Sequence, residues 1–237
     1  METIWLRVRA PFAAFRRFQA GSYRPSWPVM PPSTAYGLIL NLAGIEMRGP
    51  LNTVTTGIRD GLPRLRIAIG LISDPGRSTL YQQLHGYPVG DSGGRLKERA
   101  NGAKFFITPV RRELLVVYDG MIGFQSIESA LPARVRQTLT GGFAGERYGL
   151  PFAGDNNFMI DRLDLLDEPL PALWYERLDS GDRLRSGAIR LPVGIDRADN
   201  SRTTSQVYVP GQSVEANPPE SAWTWTPAGW PKSPDSK

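Results

Sequence analysis

Arginine dominates the residue types that could do chemistry in this chain. After a first extended stretch the sequence runs Phe12-Ala-Ala-Phe-Arg-Arg-Phe-Gln-Ala-Gly-Ser-Tyr-Arg-Pro25, interleaving aromatic rings with guanidinium groups. Aromatic faces stack on unpaired bases and planar guanidinium forks chelate phosphates, so this mixture suits single-stranded RNA. Arg16, Arg17, Tyr23 and Arg24 are the candidate contacts here. The competing reading is a loop whose Phe rings anchor to the core while the arginines are merely solvated. Lys97, Arg99 and Lys104 form a second candidate group inside a Gly-rich excursion, and Arg147 sits in a later Gly-rich run, Gly141 to Asn157. That run lacks the Lys-Ser/Thr ending of a nucleotide-binding P-loop. Its glycines therefore suit close backbone approach, to a ligand or to another segment.

Composition narrows the chemistry further. The 237 residues include no Cys and one His, His85, which excludes disulfides, thiolate zinc sites, iron–sulfur clusters, cysteine nucleophiles and clustered-imidazole metal sites. Metal-independent RNA cleavage needs a base for the 2′-OH, an acid for the leaving oxygen and a cation near the phosphate. His85 with Tyr81 or Tyr87 and Lys104 is the one set that could supply them, but a lone His flanked by Gly is more often a surface or packing residue. The expectation is a binding protein with no catalytic residues, no metal and no cofactor.

The formal charge of +5 hides an asymmetry. Up to Glu113 there are 16 basic and 7 acidic residues, and after it 12 basic and 16 acidic. A basic half next to a mildly acidic one fits a polyanion on one face and a different partner on another. Of the basic residues 24 are Arg, which fits RNA contact and equally fits the codon bias of a GC-rich genome.

Several elements must position these residues. Ile4, Leu6 and Val8 alternate with Trp5, Arg7 and Arg9 as in a half-buried strand. Ala35, Leu38, Ile39 and Leu42 have helical spacing, with Ser33 as a natural cap, Gly44 as a stop, and a free N-terminal turn that could seat a phosphate. Leu65 to Leu71 alternates again. From Ser73 to Gly102 periodicity collapses; strands are expected at Ala103 to Thr108 and Leu114 to Tyr118, with Val110 to Glu113 turning between them. A second helix follows Ser126 with Ile127, Ala130, Leu131, Val135 and Leu139 as its apolar stripe, its start delayed or kinked by Pro132. Strands are predicted at Phe158 to Leu166, Leu173 to Leu178, Ala188 to Val193 and Gln206 to Val209. This order predicts an α+β fold, a ferredoxin-like or RNA-recognition-like core with an inserted β-hairpin and additional C-terminal strands over residues 1–210. Residues 211–237 would be an irregular Pro/Trp-rich tail whose Trp side chains could dock on the body or on a partner.

Two blocks carry a family resemblance. The strand Ile4-Trp-Leu-Arg-Val-Arg-Ala-Pro-Phe12, the Phe15-Arg16 after it and the run Pro31-Pro-Ser-Thr-Ala-Tyr-Gly-Leu-Ile-Leu40 resemble the N-terminus of the CRISPR-associated Cas-five subunits of the RAMP superfamily. Gly149-Leu-Pro-Phe-Ala-Gly-Asp-Asn-Asn-Phe158 is similar to the DevS-like branch found with type I-B and related Cascade complexes. The resemblance implies an RNA-recognition-like palm with an inserted β-hairpin thumb, near 74–113 by position, in a non-catalytic, RNA-binding subunit of antiviral defence that holds the 5′ handle of crRNA and caps the Cas-seven backbone beside the large Cas-eight-type subunit. Target DNA would be met through the assembled complex. Type I-C relatives cleave pre-crRNA with a Tyr, Lys and His set, and here neither Lys97 nor Lys104 is followed by His. A protein-binding module whose basic half meets an acidic partner is the remaining alternative. The longest mostly apolar stretch, Ala35 to Ile45, is far short of the ~20 residues that cross a bilayer, and Arg7 and Arg9 do not fit a secretory signal, so a cytoplasmic protein without a membrane partner is expected.

Overall fold

The computed structural model describes residues 1–19, 21–49, 57–88, 105–142, 145, 147, 149–179, 181–197 and 199–227. Strand β1 (Thr3–Ala13) buries Ile4, Leu6, Val8 and Ala10 on one face, as its alternation dictates. Short strands β2 (Phe15–Arg16), β3 (Tyr23–Arg24) and β4 (Ser26–Trp27) follow, then helix α1 (Pro32–Leu42) and strand β5 (Leu65–Leu71). Strands β6 (Gly76–Pro88) and β7 (Phe105–Ser126) form a long hairpin, and helix α2 (Ala130–Leu139) leads to β8 (Arg162–Leu166).

The four central strands lie in the order β8-β1-β7-β5, each antiparallel to its neighbour. With α1 joining β1 to β5 and α2 joining β7 to β8, this is the ferredoxin-like arrangement. The C-terminal strands β9 (Leu173–Arg177), β10 (Ile189–Gly194) and β11 (Thr204–Pro210) extend the sheet beyond β5 in the order β9-β11-β10.

Each face of the sheet has its own core. Even-numbered β1 side chains join Ile67 and Ile69 of β5, Phe124 of β7, Ile39 and Leu42 of α1, and Leu131 and Val135 of α2. Thr138 of α2 donates its hydroxyl to the Leu42 carbonyl at 2.6 Å, tying the helices together. On the opposite face Trp5 meets Trp174 and Trp223 with ring centroids 6.1 and 5.9 Å away. A Cβ on Gly123 would lie 2.4 Å from the Trp5 ring, which explains a glycine inside a central strand.

Four expectations change. Helix α1 begins at Pro32 with Pro31 as its cap, so Ser33 lies inside its first turn and does not cap it. The predicted turn at 110–113 is absent: β7 runs unbroken through it and is one strand where two were expected. Helix α2 starts at Ala130, not Ser126; Pro132 falls in its first turn, and Ser126 Oγ instead accepts from the Glu128 N–H at 3.1 Å, leaving Ile127 exposed. The region after Gly211 is not wholly irregular, because strand β12 (Thr224–Thr226) pairs with β5 and Trp223 is buried. Trp230 lies outside the described residues.

Candidate RNA-binding face

The Arg-aromatic segment folds as a braced loop. Phe15 and Arg16 pair with Trp27 and Ser26, and Tyr23 and Arg24 run parallel to Arg111 and Arg112 of β7. Ser26 is the hub of this loop: its Oγ accepts from the Phe15 N–H at 2.9 Å, and its own N–H donates to Glu113 Oε2 at 2.9 Å. The Arg111 N–H donates to the Ser22 carbonyl at 2.7 Å, and the Arg17 N–H and Nε donate to the carbonyls of Pro25 and Ser26, each at 3.1 Å.

The three Phe rings of the segment differ in their surroundings. Phe15 is buried edge-on against Tyr118 with centroids 5.1 Å apart, an anchor to the core. Phe12 and Phe18 remain exposed, Phe18 resting edge-on to Trp27 at 6.1 Å.

The second Gly-rich run serves close approach to another segment. Gly154 adopts φ +81°, and a Cβ there would lie 2.5 Å from the Ala14 carbonyl oxygen. That contact lets the Ala14 N–H donate to Ala153 at 3.0 Å and puts Asp155 against Arg112, Oδ2 to Nη2 at 2.8 Å. Gly149-Leu-Pro-Phe-Ala-Gly-Asp-Asn-Asn-Phe158 thus clamps the end of β1, with Phe158 against Phe12 at 6.3 Å.

The electrostatic outcome is a concentration of guanidinium groups around the loop. Burial, then the like charges of Arg16 and Arg112, push the Arg24 guanidinium below its ordinary value. A site whose cations destabilise one another gains free energy by taking up an anion.

Of the sequence candidates, the structure brings Arg16, Arg17, Tyr23 and Arg24 together. Arg147 is exposed, and among the described residues no hydrogen bond or ion pair joins it to the loop. Lys97, Arg99 and Lys104 lie outside the described residues. Arg111 and Arg112 were missed because the segment read as a turn; a doubled Arg followed by Glu113 was the available signal. The His85 backbone lies on β6 opposite Ile107. Four residues of strand span about 13 Å, which sets the His85 and Tyr81 backbones well apart along β6. Among the described residues no group of three or more His, Asp or Glu could hold a metal ion, and no helix is long and apolar enough to cross a membrane.

The chain is thus an α+β protein with a ferredoxin-like core, both helices on one face, a long hairpin between its second and third strands and an Arg-rich loop beside the first. The family model described as "CRISPR-associated protein (Cas_Cas5)" matches residues 3–116, which hold β1, the Arg-aromatic loop, α1, β5, β6 and the first half of β7. Over that stretch, just under half of its length, the chain is similar to this family of CRISPR-associated proteins. A solved chain described as "CRISPR RNA-guided surveillance complex" shares the fold with a TM-score of 0.54 at 15% identity, over 93% of this chain and 96% of that one. Another, described as "Crystal structure of Cas protein", has a TM-score of 0.48 at 14% identity, over 92% and 100%. Comparison with curated proteins gave no match.

Proposed function

We propose that this chain is a non-catalytic subunit of a crRNA-guided surveillance complex and that its Arg16–Arg24 loop holds the 5′ handle of crRNA. The observation that carries the reading is that one braced loop holds Arg16, Arg17 and Arg24, with Arg24 in register beside Arg112 of β7; burial first, and then the like charges of Arg16 and Arg112, hold the Arg24 guanidinium below its ordinary value. Phe18 and Tyr23 are exposed beside these cations and supply the faces on which unpaired bases stack. The likeness to a chain of an RNA-guided surveillance complex supports assembly with other subunits. The Cas-seven backbone and a large Cas-eight-type subunit are the neighbours proposed, and target DNA would be engaged only through the assembly. Lys97, Arg99, Lys104 and Arg147 are proposed as further RNA contacts.

Incubating the full chain with repeat-derived RNA in EDTA tests both halves of the proposal. A shifted, uncleaved RNA is expected. Specific cleavage that disappears in His85→Ala would replace the scaffold role by that of a processing nuclease, and no shift at all would leave a protein-binding module.

A further inference from the structure

A groove of about 590 Å³ opens at the other end of β1 from the Arg-aromatic loop, with Arg66, Arg177, Asp179, Glu220, Trp223 and Trp225 among its walls. Strand β12 shapes it. Thr224 and Thr226 are buried on one side of the strand, so Trp225 and the preceding Trp223 face the other. Trp223 is held against Trp5, whereas Trp225 stays partly exposed. The Arg66 guanidinium lies over the Trp223 ring and that of Arg64 over Trp225, 5.4 and 5.5 Å from the centroids. Glu220 pairs with Arg66 and Asp179 with Arg177, yet the two carboxylate side chains remain 84% and 69% exposed.

Two arginines against two carboxylates leave the walls without a net charge, so nothing here draws a polyanion. Aromatic faces flanked by open carboxylates instead suit an extended Pro-rich segment that carries a basic side chain: the prolines pack on the rings and the cation meets an acid. The chain contains such a segment. Residues 228–237, which lie outside the described residues, read Ala-Gly-Trp-Pro-Lys-Ser-Pro-Asp-Ser-Lys and follow directly on Pro227. Five residues separate Trp230 from Trp225 in the groove wall, a reach of at most about 18 Å. Pro227 and Gly229 are turn residues that suit a reversal back along β12. A tether this short gives an effective concentration on the order of millimolar, which favours this segment over one from a separate chain.

We propose that the groove is a docking site for a Pro-rich segment and that its occupant is the chain's own residues 228–237, with Trp230 and Pro231 on the Trp225 ring and Lys232 beside the Glu220 carboxylate. The docked segment covers an aromatic surface that other chains would otherwise meet. This inference is independent of the RNA-binding reading above.

Trypsin acting on the full chain reads the contact, because cleavage after Lys232 requires the segment to leave the groove and its rate follows the open population. Intact-mass spectrometry at early times follows the loss of residues 233–237. Trp225→Ala and Trp230→Ala should each speed this cleavage by about tenfold, and the two together should be no faster than either alone, since both break one contact. Glu220→Gln should speed it by about threefold and covers the case in which Trp225→Ala disturbs β12. Cleavage at the wild-type rate in every variant would refute the docking and leave the groove to a segment of another chain. Acceleration by Trp230→Ala with none from Trp225→Ala or Glu220→Gln would refute this groove as the seat.

Discussion

Asp155→Asn should lower stability and, at the same time, leave RNA binding intact or tighter. Asp155 Oδ2 stands 2.8 Å from Arg112 Nη2, with the two side chains 17% and 10% exposed. At that separation and an effective dielectric of about 20 the attraction is roughly 6 kcal/mol. Desolvation of the carboxylate offsets part of it, and the substitution removes that cost along with the attraction. Arg112 would remain buried with its Nη1 already unpartnered and with Arg24 as a like-charged neighbour. Breaking one side of such a pair costs about 3 kcal/mol, which for a chain of this length lowers the melting midpoint by about 6–12 °C. Replacing both partners, Arg112→Met with Asp155→Leu, should recover most of the loss, because no buried charge is then stranded. The RNA effect has the opposite sign: with the carboxylate gone the loop presents one more uncompensated cation, and affinity at low salt should rise by about threefold. Urea unfolding and anisotropy on the same preparations check both. A loss under about 0.5 kcal/mol would refute the view that the ion pair braces the loop. Weaker RNA binding by the folded variant would refute the view that Arg112 contributes its charge to the site.

Gly154→Ala should destabilise by about 2–4 kcal/mol in urea titrations, since the residue would be held at positive φ with its methyl group against the Ala14 carbonyl. Trp223→Ala removes a ring packed on Trp5 and under the Arg66 guanidinium and should cost about 3–5 kcal/mol, measured the same way. Burial would raise the Asp164 carboxyl, but hydrogen bonds from Arg162 and Arg9 outweigh it and hold the group below its ordinary value; Glu46 is held down chiefly by its hydrogen bond from Arg48. A depressed carboxylate stabilises the fold above its unfolded pKa and loses that contribution as pH falls through the folded one. The melting midpoint should therefore drop as pH falls below about 4, and less steeply in Asp164→Asn.

The parts of the fold that were legible in sequence are those with a regular apolar period. In β1 the alternation at Ile4, Leu6 and Val8 reflects one buried face, whereas α1 and β5 are buried on nearly all sides and were legible because Ala35, Leu38, Ile39 and Leu42 keep a helical spacing and Leu65, Ile67, Ile69 and Leu71 a spacing of two; together they imply the ferredoxin-like order. Strand β6 was illegible because Arg77 to Tyr81 are exposed on both faces of a two-stranded ribbon, so no hydrophobic period is required of them. Strand β7 was read as two pieces for a related reason. It changes partner from β6 to β5 between Val116 and Gly120, and at the junction Val117 takes φ +56° with its side chain in solvent. No propensity predicts a β-branched residue in that conformation. The Arg-aromatic loop was recognisable from side-chain chemistry alone. Its completion by Arg111 and Arg112 was not, because it depends on a parallel pairing between segments nearly ninety residues apart. At the C-terminus the prolines suggested an irregular tail, yet Pro219 precedes a short helical turn, Glu220–Ala222, that delivers Trp223 to the second core.

The central claim is that the Arg16–Arg24 loop grips the phosphates of the crRNA handle. The most direct measurement is the salt dependence of affinity for handle-bearing RNA, for the wild-type chain and for Arg16→Ala with Arg17→Ala. Binding to handle-bearing RNA should be tighter than to the same RNA without it, and the log–log salt slope should be about 1.4 smaller in the double variant, two phosphate contacts at roughly 0.7 each. Equal affinity for both RNAs, or an unchanged slope in a folded double variant, would contradict it.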